Sequence, residues 1–78
     1  MSLKHAIHAV ISKGDKYFVA ECLEIAVVTQ GLTIEDTISN LQEAVALHLE
    51  DEDLEELGLV PNPSLSVTVE LDLVHASA

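Results

Sequence analysis

Four histidines and fourteen carboxylates are the side chains of this 78-residue chain best suited to chemistry. A metal site is the first chemistry to consider. His5 and His8 stand three apart in a stretch that reads as a strand, which turns them to opposite faces, so they do not converge on one ion. His48, Asp51 and Glu52 have the i, i+3, i+4 spacing that gathers side chains on one side of a helix, a geometry able to hold a cation. A single histidine closing an apolar stripe more often packs or caps, and that is the reading adopted for His48. His75 carries no signal. Metal-assisted hydrolysis would need several carboxylates converging within a few ångströms. Glu70 and Asp72 share a strand face, but the first strand has no carboxylate and Glu21 and Glu24 fall near a turn. With no nucleophile–base pair, ligand cluster or phosphate-cradling loop, we expect no enzyme, no cofactor and no resident metal.

What remains is the clustering of acid. Fourteen Asp and Glu against three Lys and no Arg give a formal charge of −11. Nucleic acid and anionic membrane surfaces are poor partners for such a chain, because both are held largely by Lys and Arg. A basic protein has the right sign. Glu50, Asp51, Glu52, Asp53, Glu55 and Glu56 form the densest acidic run and are the candidate partner-binding residues. The simpler reading of such a run is a solvated segment that confers solubility. Cys22 is the only cysteine, which excludes an internal disulfide and fits a reducing compartment, with Cys22 a small buried hydrophobe. Ala6 to Ile11 is too interrupted for a signal peptide, and no segment approaches the ~20 apolar residues of a membrane span. A cytoplasmic protein is expected.

Other elements must position that acidic run. Tyr17 and Phe18 are the only aromatics, so the core has to be built from Ile, Val, Leu and Ala. Residues 4–12 read as a strand with His5, Ile7, Ala9 and Ile11 on one face, followed by a hairpin turn at Lys13-Gly14-Asp15-Lys16. Tyr17 to Cys22 and Ala26 to Gln30 read as two more strands, with Gly31 closing the third at a positive φ. Thr33 caps a helix whose stripe is Ile34, Ile38, Leu41, Val45, His48 and Leu49. At ~100° per residue Glu52 would fall in the centre of that stripe, and the carboxylates oppose the negative helix end. The helix should therefore stop at Glu50 to Glu52, with a short turn around Leu54 to Leu57 and Gly58 as terminator. Pro61-Asn62-Pro63 reads as a loop. Leu65, Val67, Val69, Leu71 and Leu73, alternating with polar residues, read as the last strand, and Val74 to Ala78 as a tail.

The expected architecture is a single α+β domain over residues 1–78, ordered β-β-β-α-β. It has a four-stranded mixed sheet, the last strand beside the first, and one helix packed over the last strand and its neighbours. A chain this small has a thin core and open sheet edges, so at least a homodimer is expected.

Phe18-Val19-Ala20-Glu21-Cys22, Glu24-Ile25, Val27-Val28-Thr29-Gln30-Gly31, Thr33-Ile34-Glu35-Asp36 and Asn40-Leu41-Gln42-Glu43-Ala44 together resemble the HicB-type antitoxin domain. The likeness runs from Tyr17 to Glu50, and the element order extends it to nearly the whole chain. Leu23 stands where that family usually has proline, and Ala26 where a Pro-Gly turn often occurs. The resemblance implies a truncated ribonuclease-H-like fold without catalytic residues. It implies a protein that neutralises a small basic, HicA-like, messenger-RNA-cleaving toxin by occlusion. Full-length members add a C-terminal DNA-binding domain. This chain ends before one, so DNA binding and autoregulation are not expected of it. The alternative is a stand-alone oligomeric binding module with no toxin partner and an unknown ligand.

Overall fold

Apolar alternation sets the sheet. In the computed structural model, which describes residues 2–73, β1 (Lys4–Lys13), β2 (Phe18–Cys22) and β3 (Val28–Gly31) form an antiparallel meander. Helix α1 (Ile34–Glu50) follows, and β4 (Leu59–Val69) returns parallel to β1. The order across the sheet is β3-β2-β1-β4, so the last strand does lie beside the first. Over the described residues the fold is α+β, a four-stranded mixed sheet with one helix. His75 and the rest of the expected tail lie outside the described residues.

The odd residues of β1, Ile7, Ala9 and Ile11, are buried together with Ala20 and Cys22 of β2. Leu41 and Val45 of α1 complete this aliphatic core with Ile25, Val27 and Leu59. The β1–β2 turn closes where Gly14 N–H donates to Tyr17 C=O at 2.8 Å. The helix begins as its cap requires: Thr33 is extended, and its hydroxyl accepts from Asp36 N–H at 3.0 Å. Such a cap is worth ~1 kcal/mol. The helix ends at Glu50 with Asp51 as C-cap, where the stripe would otherwise have brought Glu52 into the core.

Five expectations need correction. Gly31 does not have a positive φ; among the described residues Gly58, at +79°, is the glycine that does. Gly31 is required for space, since a Cβ there would stand 2.7 Å from Thr37 Oγ1 and 2.8 Å from Thr37 N. Thr37, absent from the expected stripe, is fully buried because its hydroxyl donates to Thr33 C=O at 2.6 Å and needs no water. The helix approaches β3 most closely and then β2, rather than β4. Pro61-Asn62-Pro63 lies inside β4: Lys4 pairs with Leu59 and Ala6 with Ser64, so residues 60 to 63 bulge opposite His5 alone. An edge strand tolerates prolines there because no further strand needs their missing N–H groups. Finally, β3 starts at Val28 and β4 stops at Val69, which leaves Leu71 and Leu73 74% and 92% exposed.

Candidate functional site

The acidic run is folded into a compact turn. Asp53 Oδ1 accepts from the N–H groups of Glu55 at 3.1 Å and Glu56 at 3.4 Å, an Asx-type turn that restarts the chain after the helix. Leu57 N–H donates to Asp53 C=O and Leu54 C=O at 3.2 and 3.1 Å, and Leu59 N–H donates to Leu54 C=O at 2.8 Å. Gly58, in its left-handed conformation, turns the chain into β4, and its C=O accepts from Lys4 N–H at 2.8 Å. Leu54 packs on the core and Leu59 is buried. Two leucines therefore anchor the segment, while Glu50, Asp51, Glu52, Asp53, Glu55 and Glu56 are all exposed. Leu57, in the turn beyond the helix end, is exposed.

Three of those six acidic residues line a hollow. Glu52, Asp53 and Glu55 line an open depression of about 350 Å³ together with the apolar Leu3, Leu54, Leu59 and Pro61. Glu50, Asp51 and Glu56 are not part of its lining. The apolar members come from both ends of the sequence because Lys4 pairs with Leu59, which sets the start of β1 against the start of β4. Nothing in the local sequence around Glu50 to Glu56 points to Leu3 or Pro61; only the strand pairing does. A hollow lined by four apolar and three acidic residues suits a Lys or Arg side chain, whose methylene stem packs on the apolar residues while its cationic head is drawn to the acidic ones. It equally suits an apolar anchor flanked by basic residues.

The second titratable constellation pairs two residues that the sequence reading kept apart. Glu24 Oε1 accepts from the His8 backbone N–H at 2.7 Å, and Glu24 Oε2 lies 2.6 Å from His8 Nδ1. The carboxylate is largely sheltered, at 14% side-chain exposure, and the imidazole is half-exposed on the sheet face away from the helix. Leu23 N–H donates to His8 C=O at 2.9 Å, so the turn after β2 is stitched to mid-β1 through one residue. Desolvation pushes the Glu24 carboxyl up, but the His8 N–H, ring and charge outweigh it and hold the carboxyl below its ordinary value. Burial, reinforced by the Glu24 charge, pushes the Cys22 thiol up, which makes it a poor nucleophile.

A carboxyl held down in the folded state binds its proton less tightly there than in the unfolded chain. Its stabilisation is therefore present above the ordinary value of 4.5 and is lost as acid protonates the folded form. Glu24→Gln should flatten that acid limb of the stability curve while leaving the curve's shape near neutrality unchanged. Urea midpoints measured between about pH 3 and pH 7 test this, and an acid limb equally steep in both proteins would remove Glu24 as its source.

Among the described residues no three His, Cys, Asp or Glu side chains stand together as metal ligands, His48, Asp51 and Glu52 included. Another hollow, of about 390 Å³, opens where β3 meets the helix start, between Tyr17, Leu32 and Asn40. Asp36 is its only carboxylate, and it lacks the mixed apolar and acidic character of the first. Among the described residues no helix is long and apolar enough to cross a membrane. No protein-family model matches the chain, and no similar curated protein or solved structure was found.

Proposed function

We propose that this chain is a HicB-like binding module that occludes a small basic protein and catalyses no reaction of its own. The observation that carries the reading is the hollow lined by Glu52, Asp53 and Glu55 together with Leu3, Leu54, Leu59 and Pro61. It offers a basic partner apolar contact and opposite charge in one place. The net charge of −11 adds long-range attraction of the same sign and disfavours direct nucleic-acid binding. The ordered likeness from Tyr17 to Glu50 supports a HicA-like toxin as that partner and a truncated ribonuclease-H-like, HicB-like ancestry for the sheet and helix. A second reading, a self-associating module without a toxin, is supported by the outer edge of β4, which among the described residues pairs with no other strand.

The decisive experiment neutralises the run as Glu50→Gln, Asp51→Asn, Glu52→Gln, Asp53→Asn, Glu55→Gln and Glu56→Gln. Asn at 53 keeps the side-chain oxygen that accepts from the Glu55 and Glu56 N–H groups, so the turn survives. Small basic proteins retained from a source-cell lysate by the wild-type chain are then bound to both forms at two salt concentrations. Association should slow by about tenfold or more at low ionic strength, and its salt dependence should flatten. Equal rates for both proteins would reduce the run to a solubility feature. Failure to retain any small basic protein would favour the self-associating module.

A further inference from the structure

We infer that the outer edge of β4 is a homodimer interface, where two copies pair their β4 strands antiparallel about a twofold axis at Val67. The inference rests on the self-association proposed above and is independent of any toxin.

The main-chain geometry selects this edge. Glu70 N–H donates to Ile11 C=O at 2.8 Å while Ile11 is paired with Val69. In a parallel ladder this fixes the alternation: Ser66, Thr68 and Glu70 turn their main-chain groups toward β1. Leu65, Val67 and Val69 turn theirs outward, where among the described residues β4 borders no further strand. The opposite edge of the sheet is protected. β3 has only four residues, and Asn40 Nδ2 covers its Gln30 C=O at 2.8 Å.

Charge identifies the occupant as a second copy. Each chain carries −11, so two copies repel almost everywhere. The segment Leu59–Val69, LVPNPSLSVTV, has no Asp, Glu, Lys or Arg. It also lacks the lysine or inward charge that commonly guards an exposed edge. Two copies can meet here without opposing like charges.

The side chains fit the twofold. Antiparallel pairing of outward-facing groups sets odd residues opposite odd ones. Centring on Val67 overlaps the whole regular run from Ser64 to Glu70. Leu65 then faces Val69 of the second copy, Ser66 faces Thr68, and Glu70 faces the neutral Ser64. Ser–Thr pairs across strands are favourable, and like charges directly opposite are avoided. Leu65, Val67 and Val69 are half-exposed where the helix does not cover β4, and the second copy's matching row would shelter them. Leu71 continues the odd row beyond the strand end and is 74% exposed in the single chain. In the pair it would extend β4 opposite Pro63 of the second copy.

Sedimentation of the purified chain at tens of micromolar should give twice the 8.4 kDa of one chain. The association should tighten as salt screens the repulsion, whereas binding to a basic partner should weaken. Val67→Pro removes an outward N–H and leaves the β1–β4 ladder intact; the double substitution Ser66→Lys with Thr68→Lys sets lysines opposite each other. Each should raise the dissociation constant about 100-fold with unchanged circular dichroism. Single variants Ser66→Cys and Thr68→Cys define the register, since the buried Cys22 stays out of the reaction. Oxidised together they should form a crosslinked dimer, and each alone should not, because Ser66 faces Thr68. A monomer of 8.4 kDa would end self-association altogether. A dimer indifferent to the proline and lysine variants would move the interface elsewhere, and crosslinking by either cysteine variant alone would overturn the Val67 axis.

Discussion

Leu41→Ala should lower stability by about 2–5 kcal/mol, the cost of leaving a cavity under a helix that has few other anchors. Leu41 is fully buried, and it belongs to the same core cluster as buried residues of β1, β2 and β4. Val45, one turn on, is the only other buried aliphatic residue of α1. Stabilities of roughly 0.05–0.15 kcal/mol per residue give a chain of 78 residues about 4–12 kcal/mol in total. The substitution therefore removes a large part of what holds the domain together, and at the lower end of that range it leaves the chain unfolded. Leu47→Ala provides the contrast, because Leu47 is 63% exposed and its loss should cost under about 1 kcal/mol. Urea midpoints for the two variants decide the matter. A Leu41→Ala midpoint as close to wild type as that of Leu47→Ala would contradict the core assigned here.

The residues that the sequence made legible are those whose burial follows from period alone. Ile7, Ala9 and Ile11 on β1 and Leu41 and Val45 on α1 were readable because alternation and the 3.6-residue stripe each leave one solution. The helix stop at Glu50 was readable for the same reason, since one more turn would have placed Glu52 in the core. The β4 side chains were legible as an alternating row, but not the limits of the strand. Leu71 and Leu73 keep the pattern, while the ladder to β1 ends with Glu70 N–H on Ile11 C=O. Pro61-Asn62-Pro63 looked like a loop because proline excludes a central strand. Its place in an edge-strand bulge depends on which strands are neighbours, a property of the whole sheet.

The candidate site divides in the same way. Its acidic lining was legible as composition, since Glu52, Asp53 and Glu55 lie within four consecutive positions. Its apolar lining was not, because Leu3 and Pro61 meet only through the pairing of Lys4 with Leu59. Nor was the turn-forming role of Asp53 apparent, which separates it from its neighbours: its carboxylate accepts from two backbone N–H groups, and the residue also lines the hollow. His8 and Glu24 escaped attention because the residues between them include a complete hairpin.

Gly31→Ala should be the most damaging glycine substitution, at about 1–3 kcal/mol or more, through crowding rather than backbone conformation. The added Cβ would lie 2.7 Å from Thr37 Oγ1, 2.8 Å from Thr37 N and 3.0 Å from Thr37 Cα. Two of these atoms are main chain, and the third is held by the 2.6 Å bond from Thr37 Oγ1 to Thr33 C=O. No rotamer change relieves the clash, so β3 and the first turn of α1 must separate. Separation strains the Asn40 bond to Gln30 C=O and opens the helix start beside the Thr33 cap. Gly58→Ala meets nothing within 4 Å and pays only for its φ of +79°, about 1–2 kcal/mol. Gly14→Ala, whose Cβ would stand 3.2 Å from Tyr17 O, should be milder than Gly31→Ala. A double-mutant cycle separates the causes. Thr37→Ala removes the hydroxyl but leaves Thr37 N in place, so in the Gly31→Ala background it should recover only part of the loss. Full recovery would assign the clash to the hydroxyl alone, and a Gly31→Ala midpoint equal to wild type would show that β3 and α1 have room to part.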